Sequence, residues 1–231
     1  MDPLQRREKE IFETLKAIHK YSFVVIGGYA VNAYTLPRFS VDCDIAVKDS
    51  REAEKIGNTL SKVGYSREKI PKNAPYYGTF ERYEKQIEKD FRVSMDILIG
   101  EVLDRQTNAT FSADWIFKHS KVRLLKGKTI LEELKVRIID AEALFVMKFV
   151  CARATDIRDI FMLALNMKEK GWIRKEIENR YNFENRLEKI REKVLSKQFK
   201  DGLQGVYGVV DPKVFEKHRK ALLEMNNFHQ N

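Results

Sequence analysis

Cysteines are few in this sequence, and long apolar segments are missing from it. Its 231 residues include two cysteines, Cys43 and Cys151, too few for the disulfide framework of a small secreted domain. No apolar run approaches the roughly 18 residues needed to span a membrane. The N-terminal segment MDPLQRREKEIFETL also lacks the apolar core of a secretory signal. These absences predict a cytoplasmic protein that does not cross a membrane.

Acidic residues are outnumbered by basic ones, 34 to 43, which gives a formal net charge of +9. A basic surface favours polyanionic partners such as RNA, DNA or nucleotides, although charge also simply keeps a protein soluble. No acid occurs between Asp114 and Glu132, and this stretch carries the basic residues Lys118, Lys121, Arg123, Lys126 and Lys128. It fits either a strip that follows a phosphate backbone or a solvated hairpin.

The pattern of apolar residues changes along the chain. Short apolar strands alternate with amphipathic helices in the first part, whereas the last part reads as helical throughout. The change lies near 130–140. We therefore predict the α+β fold class, with an α/β domain over 1–135 and a helical C-terminal domain over 136–231.

Several helices follow from periodicity and from capping or stop residues. We expect them over 4–20, over YAVNAYTL up to Pro37, over 51–63, over AEALFVMKFVCAR after Asp140, from Asp156, over 173–200 and over 211–226. Residues 65–90 suggest a strand or hairpin with a mobile loop. Gly202, Gly205 and Gly208 suggest a looser joint.

Two aspartates, Asp42 and Asp44, stand one residue apart in the apolar run SVDCDIAVK. Side chains at i and i+2 of a strand point to the same face, and two like charges held side by side are costly to ionise together. Asp96 lies in a second apolar strand, FRVSMDILIG. Acids in this arrangement either face open water or surround a cation.

A glycine pair, Gly27-Gly28, ends the buried strand SFVVI, and a predicted helix follows at once. Free N–H groups at a helix start, beside glycines that let a ligand approach, suit a phosphate group. Three carboxylates beside such a turn can hold two divalent cations roughly 3.5–4 Å apart, and Mg²⁺ takes oxygen ligands. Taken singly, a glycine pair is usually a turn and a D-x-D strand is usually a solvated face.

These pieces together resemble a known superfamily. The glycine pair, a short helix, RFSVDCDIAV (R-x-S-x-D-x-D) and SMDILIG are similar to the nucleotidyltransferases typified by DNA polymerase beta. The closest resemblance is to the AbiEii-like group, which includes toxins of toxin–antitoxin pairs. KFVCARATDIRDI at 148–160 matches that group's Lys, Arg, Asp pattern in outline. The resemblance implies a short mixed sheet flanked by helices, followed by a helical region.

The resemblance also implies an activity and a set of site residues. The enzyme would move a nucleoside monophosphate from an NTP to an acceptor hydroxyl, with Mg²⁺ or Mn²⁺ as cofactor and release of pyrophosphate. Asp42, Asp44 and Asp96 would bind the metal, with Asp96 also acting as the base or assisting it. Lys148 would neutralise charge on the phosphates. The nucleotide-binding residues would be Gly27, Gly28, Arg38, Ser40, Arg153 and Asp156.

The acceptor and even the activity have alternatives. The basic charge favours RNA as the acceptor. The toxin resemblance implies the 3′ end of a tRNA, and an antitoxin protein as a partner. A small molecule of the aminoglycoside type is the second acceptor, since acidic side chains could attract a cationic drug. Those acids are Glu81, Glu84, Glu88 and Asp90. A non-catalytic nucleotide- or RNA-binding module is the third reading, because Tyr29 follows the glycines where a small or hydroxyl residue is common.

Overall fold

A computed structural model describes residues 2–88 and 91–227. Its strands are Val24–Ile26 (β1), Asp42–Val47 (β2), Ser66–Arg67 (β3), Phe80–Glu88 (β4), Phe91–Ile99 (β5), Glu101–Leu103 (β6), Thr110–Ser112 (β7), Ser120–Leu125 (β8) and Leu134–Ile139 (β9). Its α-helices are Pro3–Ile18 (α1), Gly27–Val31 (α2), Ser50–Lys62 (α3), Ala113–Lys118 (α4), Ala141–Cys151 (α5), Ala154–Leu163 (α6), Lys170–Glu178 (α7), Phe183–Leu195 (α8), Lys197–Tyr207 (α9) and Pro212–Leu223 (α10).

A seven-stranded mixed sheet has the order β3-β4-β5-β2-β1-β9-β8. β2 runs parallel to β5, and β1 runs parallel to β9, whereas the other neighbouring strands are antiparallel. β6 and β7 form a separate two-stranded sheet. With helices beside a mixed sheet, the structure confirms the predicted α+β class.

One face of the central strands is part of the hydrophobic core. Cys43 and Ile45 of β2 and Met95 and Ile97 of β5 are fully buried, and α1 and α3 contact these strands. Since side chains alternate along a strand, the residues between them face the other way. The aspartates of β2 and β5 therefore share the opposite face, because the residues next to them in each strand are buried in the core.

Two compact units can be described separately. The first comprises Met1–Ala33, Pro37–Leu103 and Thr110–Ile139; the second comprises Tyr34–Leu36, Asp104–Ala109 and Asp140–Asn231. The first holds the sheet, and the second holds α5 to α10. The division into domains 1–135 and 136–231 stays a prediction.

Some predicted element boundaries are wrong. α2 begins at Gly27 and ends at Val31 instead of continuing to Pro37. Asn32 ends it, because its side-chain amide bonds both backbone groups of Arg38 and folds the chain back. The predicted helix over 173–200 is divided among α7, α8 and α9, since Asn182 and Ser196 each cap the start of a new helix. The predicted joint is also wrong, because Gly202 and Gly205 lie inside α9.

α6 begins at Ala154, two residues before the predicted start. Asp156 occupies the third position of the helix, where its carboxylate accepts a hydrogen bond from the backbone N–H of Arg153 at 3.2 Å. A carboxylate near a helix start is stabilised by the free N–H groups there. No helix within the described residues is long and apolar enough to cross a lipid bilayer.

Candidate active site

Asp42, Asp44 and Asp96 lie together on one face of the parallel pair β2–β5, opposite the face that Cys43 and Met95 bury in the core. Asp44 is directly opposite Asp96 in the strand register, and Asp42 is opposite Ser94. One carboxylate oxygen from each aspartate lies within 4.8 Å of the other two. Asp96 is only 4% exposed, and burial raises the pKa of its carboxyl. Three acids this close disfavour joint ionisation unless a cation accompanies them.

Gly27 determines how closely Asp44 approaches the turn between β1 and α2. Its φ of +64° is in the left-handed region that favours glycine. A Cβ at Gly27 would lie 1.9 Å from Oδ2 of Asp44, which is a direct overlap. Asp44 also pairs with Ile26 across β1 and β2. The missing side chain therefore lets the carboxylate of Asp44 lie against the backbone of the turn.

Gly28 likewise has no side chain where residues of the loop before β2 approach the turn closely. A Cβ there would lie 2.2 Å from Oγ of Ser40 and 3.3 Å from a terminal guanidinium nitrogen of Arg38. Arg38 and Ser40 are 6% and 8% exposed. Asn32 holds this loop, donating from its amide to the Arg38 carbonyl (2.9 Å) and accepting from the Arg38 N–H (3.1 Å). Nothing in the sequence pattern indicated that Asn32 positions this loop.

Arg82 of β4 contacts one of the three acids, Asp96. The sequence analysis did not predict this arginine as a site residue. It lies opposite Asp96 in the strand register. Its Nε and one terminal nitrogen donate to the two oxygens of Asp96 at 2.8 and 2.7 Å. This bidentate pair raises the pKa of Arg82 and offsets part of the burial cost of Asp96. Alternation in FERYEK places Phe80, Arg82 and Glu84 on one face of a strand. This pattern could have indicated Arg82 as a site residue.

Two residues between or beside the acids point into the core. Cys43 is fully buried, and burial raises the pKa of its thiol well above the ordinary value. Tyr29 is 1% exposed, and desolvation likewise raises the pKa of its hydroxyl. The aromatic ring of Tyr29 is thus a packing element of α2. Cys151, in the other unit, has a pKa raised to about 12, chiefly by burial.

Lys148, Arg153 and Asp156 lie in the second compact unit, where Lys148 and Asp156 are buried and Arg153 is exposed. Nζ of Lys148 lies 3.1 Å from Oδ1 of Asp156 and 2.9 Å from Oδ2 of Asp159. Arg153 donates to Asp104 at 2.7 Å. The structure therefore brings the sheet residues together as one group and these helical residues together as another. Asp104 and Asp159, which complete the second group, were not among the predicted site residues.

Comparison with known proteins decides the family. The family model described as nucleotidyl transferase AbiEii toxin, type IV toxin–antitoxin system, matches residues 11–224. The chain belongs to this family. The AbiEii assignment makes the protein a nucleotidyltransferase, in agreement with the sequence motifs. No relative was found among curated proteins.

Two solved structures share the fold of this AbiEii protein. A candidate nucleotidyltransferase from H. pylori is 17% identical with a TM-score of 0.50, over 97% of this chain and 93% of its own. The aminoglycoside enzyme ANT(2″)-Ia in complex with adenylyl-2″-tobramycin is 15% identical with a TM-score of 0.50, over 77% of this chain and 99% of its own. At these identities the likeness extends to the fold alone.

Proposed function

We propose that this AbiEii protein is a metal-dependent nucleotidyltransferase that moves a nucleoside monophosphate from an NTP to a hydroxyl of an RNA, plausibly a tRNA. The acceptor oxygen would bond to the α-phosphorus, pyrophosphate would leave, and the hydroxyl proton would pass to a base. One observation carries the proposal. Three carboxylates from two parallel strands converge within 4.8 Å, beside a turn that only glycine can form.

The donor set fits a divalent cation. The three oxygens are the hard ligands that Mg²⁺ or Mn²⁺ prefers, and the absent Cβ of Gly27 leaves Asp44 at the turn. Asp42, Asp44 and Asp96 would hold the ion. When bound, it would orient the triphosphate and neutralise charge developing on it. Asp96 would also act as the base toward the acceptor proton, or assist that base, as the resemblance implies.

The remaining predicted residues would bind the nucleotide. Gly27 and Gly28 would face the triphosphate, with Arg38 and Ser40 at the edge of the same turn. From the helical unit, Lys148 would neutralise phosphate charge, and Arg153 with Asp156 would complete the nucleotide site. We assign the three acids and the glycine turn to the nucleotidyltransferase domain 1–135, and Lys148, Arg153 and Asp156 to the helical domain 136–231.

A small-molecule acceptor is the second candidate, and the fold shared with ANT(2″)-Ia favours it. Three of the four acids that would attract a cationic drug are already paired with arginines. Glu81 contacts Arg67 and Glu84 contacts Arg92, while Glu88 pairs with Arg6. Asp90 lies outside the described residues. These pairs neutralise the acidic surface, so RNA remains the preferred acceptor.

The third candidate, a non-catalytic binding module, depended on Tyr29 disturbing the phosphate turn. The ring of Tyr29 is buried in the core instead, which removes that reason. An antitoxin protein remains a proposed partner because the family is that of a type IV toxin.

Transfer can be tested by incubating the protein with each α-³²P-labelled NTP, Mg²⁺ and total RNA, with Asp42→Asn/Asp44→Asn as control. Label on an RNA band that is absent from the control would support the proposal and identify the nucleotide. Label on an added aminoglycoside and not on RNA would favour the second candidate. Without any transfer, binding of NTP and metal alone would favour the third.

Arg82 gives a prediction about the metal site that does not depend on turnover. Replacing Arg82 by glutamine removes a positive charge beside three acids, so we expect Mn²⁺ to bind several-fold more tightly. The metal-free protein should lose about 2 kcal/mol of stability, because the buried Asp96 carboxylate loses two charged hydrogen bonds. Electron paramagnetic resonance of free Mn²⁺ and urea unfolding measure the two effects.

Arg92→Gln is the matched control for this prediction. Arg92 also pairs with an acid on the neighbouring strand, Glu84, but its side chain is 64% exposed. Exposed pairs contribute less than about 1 kcal/mol, so both readouts should barely change. Weaker Mn²⁺ binding in Arg82→Gln would instead mean that the arginine helps to assemble the site.

A further inference from the structure

The hairpin formed by β8 and β9, together with Lys118 at the end of α4, carries a concentration of positive charge; we call residues 118–137 the basic hairpin. Seven basic side chains in it are all exposed: Lys118, Lys121, Arg123, Lys126, Lys128, Lys135 and Arg137. The two acids, Glu132 and Glu133, are matched by Lys16 of α1 (2.6 Å) and by Lys126 (3.7 Å). Residues 118–137 thus contain seven basic and two acidic residues, which is an excess of positive charge in the sequence of this segment.

The outer face of the basic hairpin combines charge with exposed apolar groups. Val122 lies opposite Arg137, and Leu124 lies opposite Lys135. Val122 is 61% exposed and Leu124 is 38% exposed. β8 is also the edge strand of the sheet. Lys121 and Arg123 lie opposite Ile138 and Val136, so they project from the other face of the hairpin than Lys135 and Arg137. Each face along this edge thus carries two cations about 7 Å apart, every second residue of a strand.

The turn of the basic hairpin is held rigidly by α1. The carboxylate of Glu8, 1% exposed, accepts hydrogen bonds from the backbone N–H groups of Lys128 (2.6 Å), Thr129 (2.8 Å) and Ile130 (3.2 Å). It also accepts from the Thr129 hydroxyl at 2.7 Å. A buried carboxylate with four donors fixes the turn firmly. The charges next to the turn are thus presented on a preformed support.

The same turn lies beside the loop that leads into the acidic group. Nζ of Lys128 is 5.2 Å from the centre of the Phe39 ring, which is a cation–π distance. Phe39 stands between Arg38 and Ser40, and β2 with Asp42 follows directly. β9 itself pairs with β1, the strand that ends at the glycine turn. The turn of the basic hairpin therefore contacts the loop that leads into the candidate active site.

We propose that the basic hairpin binds the phosphate backbone of the acceptor RNA and directs the RNA toward the acids on β2 and β5. That the ligand is the acceptor RNA rests on the proposed function. The location of the binding surface rests on the charged residues of the hairpin itself. Regularly spaced positive charges complement a polymer with one negative charge per nucleotide. The exposed Val122 and Leu124 offer contacts to unpaired bases or sugars, as single-stranded recognition requires.

Binding of end-labelled bulk tRNA tests the proposal, measured from about 50 to 300 mM KCl. The test variant replaces Lys121, Arg123, Lys135 and Arg137 by glutamine. We expect at least a tenfold rise in Kd at 0.1 M salt. The slope of log Kd against log salt should fall by about 3, since each lost phosphate contact removes about 0.7–0.9.

Two further variants make the result specific. One replaces four exposed lysines of the helical unit, Lys189, Lys193, Lys213 and Lys217, by glutamine. It changes the net charge equally and should bind tRNA like the wild type. The other exchanges lysine for arginine, and arginine for lysine, at the four hairpin positions. It keeps the charge and should retain most of the affinity, which shows that binding follows charge at these positions.

Equal loss of affinity in the hairpin and helical variants would overturn the proposal, because any four charges would then serve. It would also be overturned if the hairpin variant bound tRNA normally but lost binding to poly-glutamate, which would assign the surface to an acidic protein. The rise in melting temperature that Mg²⁺ and NTP cause should be the same in the hairpin variant as in the wild type. If that shift or labelling failed in the wild type while hairpin-dependent tRNA binding held, the proposed function alone would fail.

Discussion

Replacing Asp42 and Asp44 together by asparagine should lower nucleotide transfer at least about 1,000-fold, since a bound metal contributes several kcal/mol of charge stabilisation. The same change should raise the melting temperature of the metal-free protein. The two acids lie beside Asp96 within 4.8 Å, and removing like charges relieves their repulsion. Lower activity with higher stability is the signature of a site kept for function.

Transfer of ³²P label and thermal unfolding without metal measure these two effects. Asp114→Asn is the matched control, since Asp114 pairs with Lys48 on the surface with its side chain 84% exposed. Both readouts should stay near the wild-type values there. If the Asp42→Asn/Asp44→Asn variant still responded to Mg²⁺ with NTP by a full rise in melting temperature, these residues would not be the metal ligands.

The pairing of Asp42 with Asp44 was predictable because it depends on a local rule. Alternation in SVDCDIAVK places both aspartates on one face, with Cys43 in the core. Asp96 joins them through the register of β2 on β5, and its place in the group was implied by the family resemblance. The glycine turn is local too, and the structure adds what Gly27 accommodates, namely the carboxylate of Asp44.

Long-range partners were not predictable in the same way. Arg82 is 14 residues from Asp96 and meets it only through the register of β4 on β5. That register includes a shift between Gln86 and Glu88, and nothing in the sequence pattern indicates where such an irregularity falls. The helix over 173–200 failed for a related reason, because charged residues continue across the caps at Asn182 and Ser196.

Replacing Lys148 by methionine should have the largest effect on stability. Its ammonium group lies between the carboxylates of Asp156 and Asp159, and the three residues are 7%, 8% and 0% exposed. Removing the lysine leaves two buried carboxylates without the ammonium group between them. Breaking a buried ion pair costs about 3–5 kcal/mol. Urea unfolding of the variant should show a loss of that size, whereas Lys175→Met, on an exposed position of α7, should lose little.

A double variant separates the structural role of Lys148 from its proposed role toward the nucleotide. In Lys148→Met/Asp159→Asn the fully buried acid is neutral, so much of the lost stability should return. NTP transfer should not return with it, because the positive charge is still missing. Recovery of both stability and transfer would show that Lys148 acts only through the fold. An unchanged stability in Lys148→Met would contradict the buried ion-pair arrangement itself.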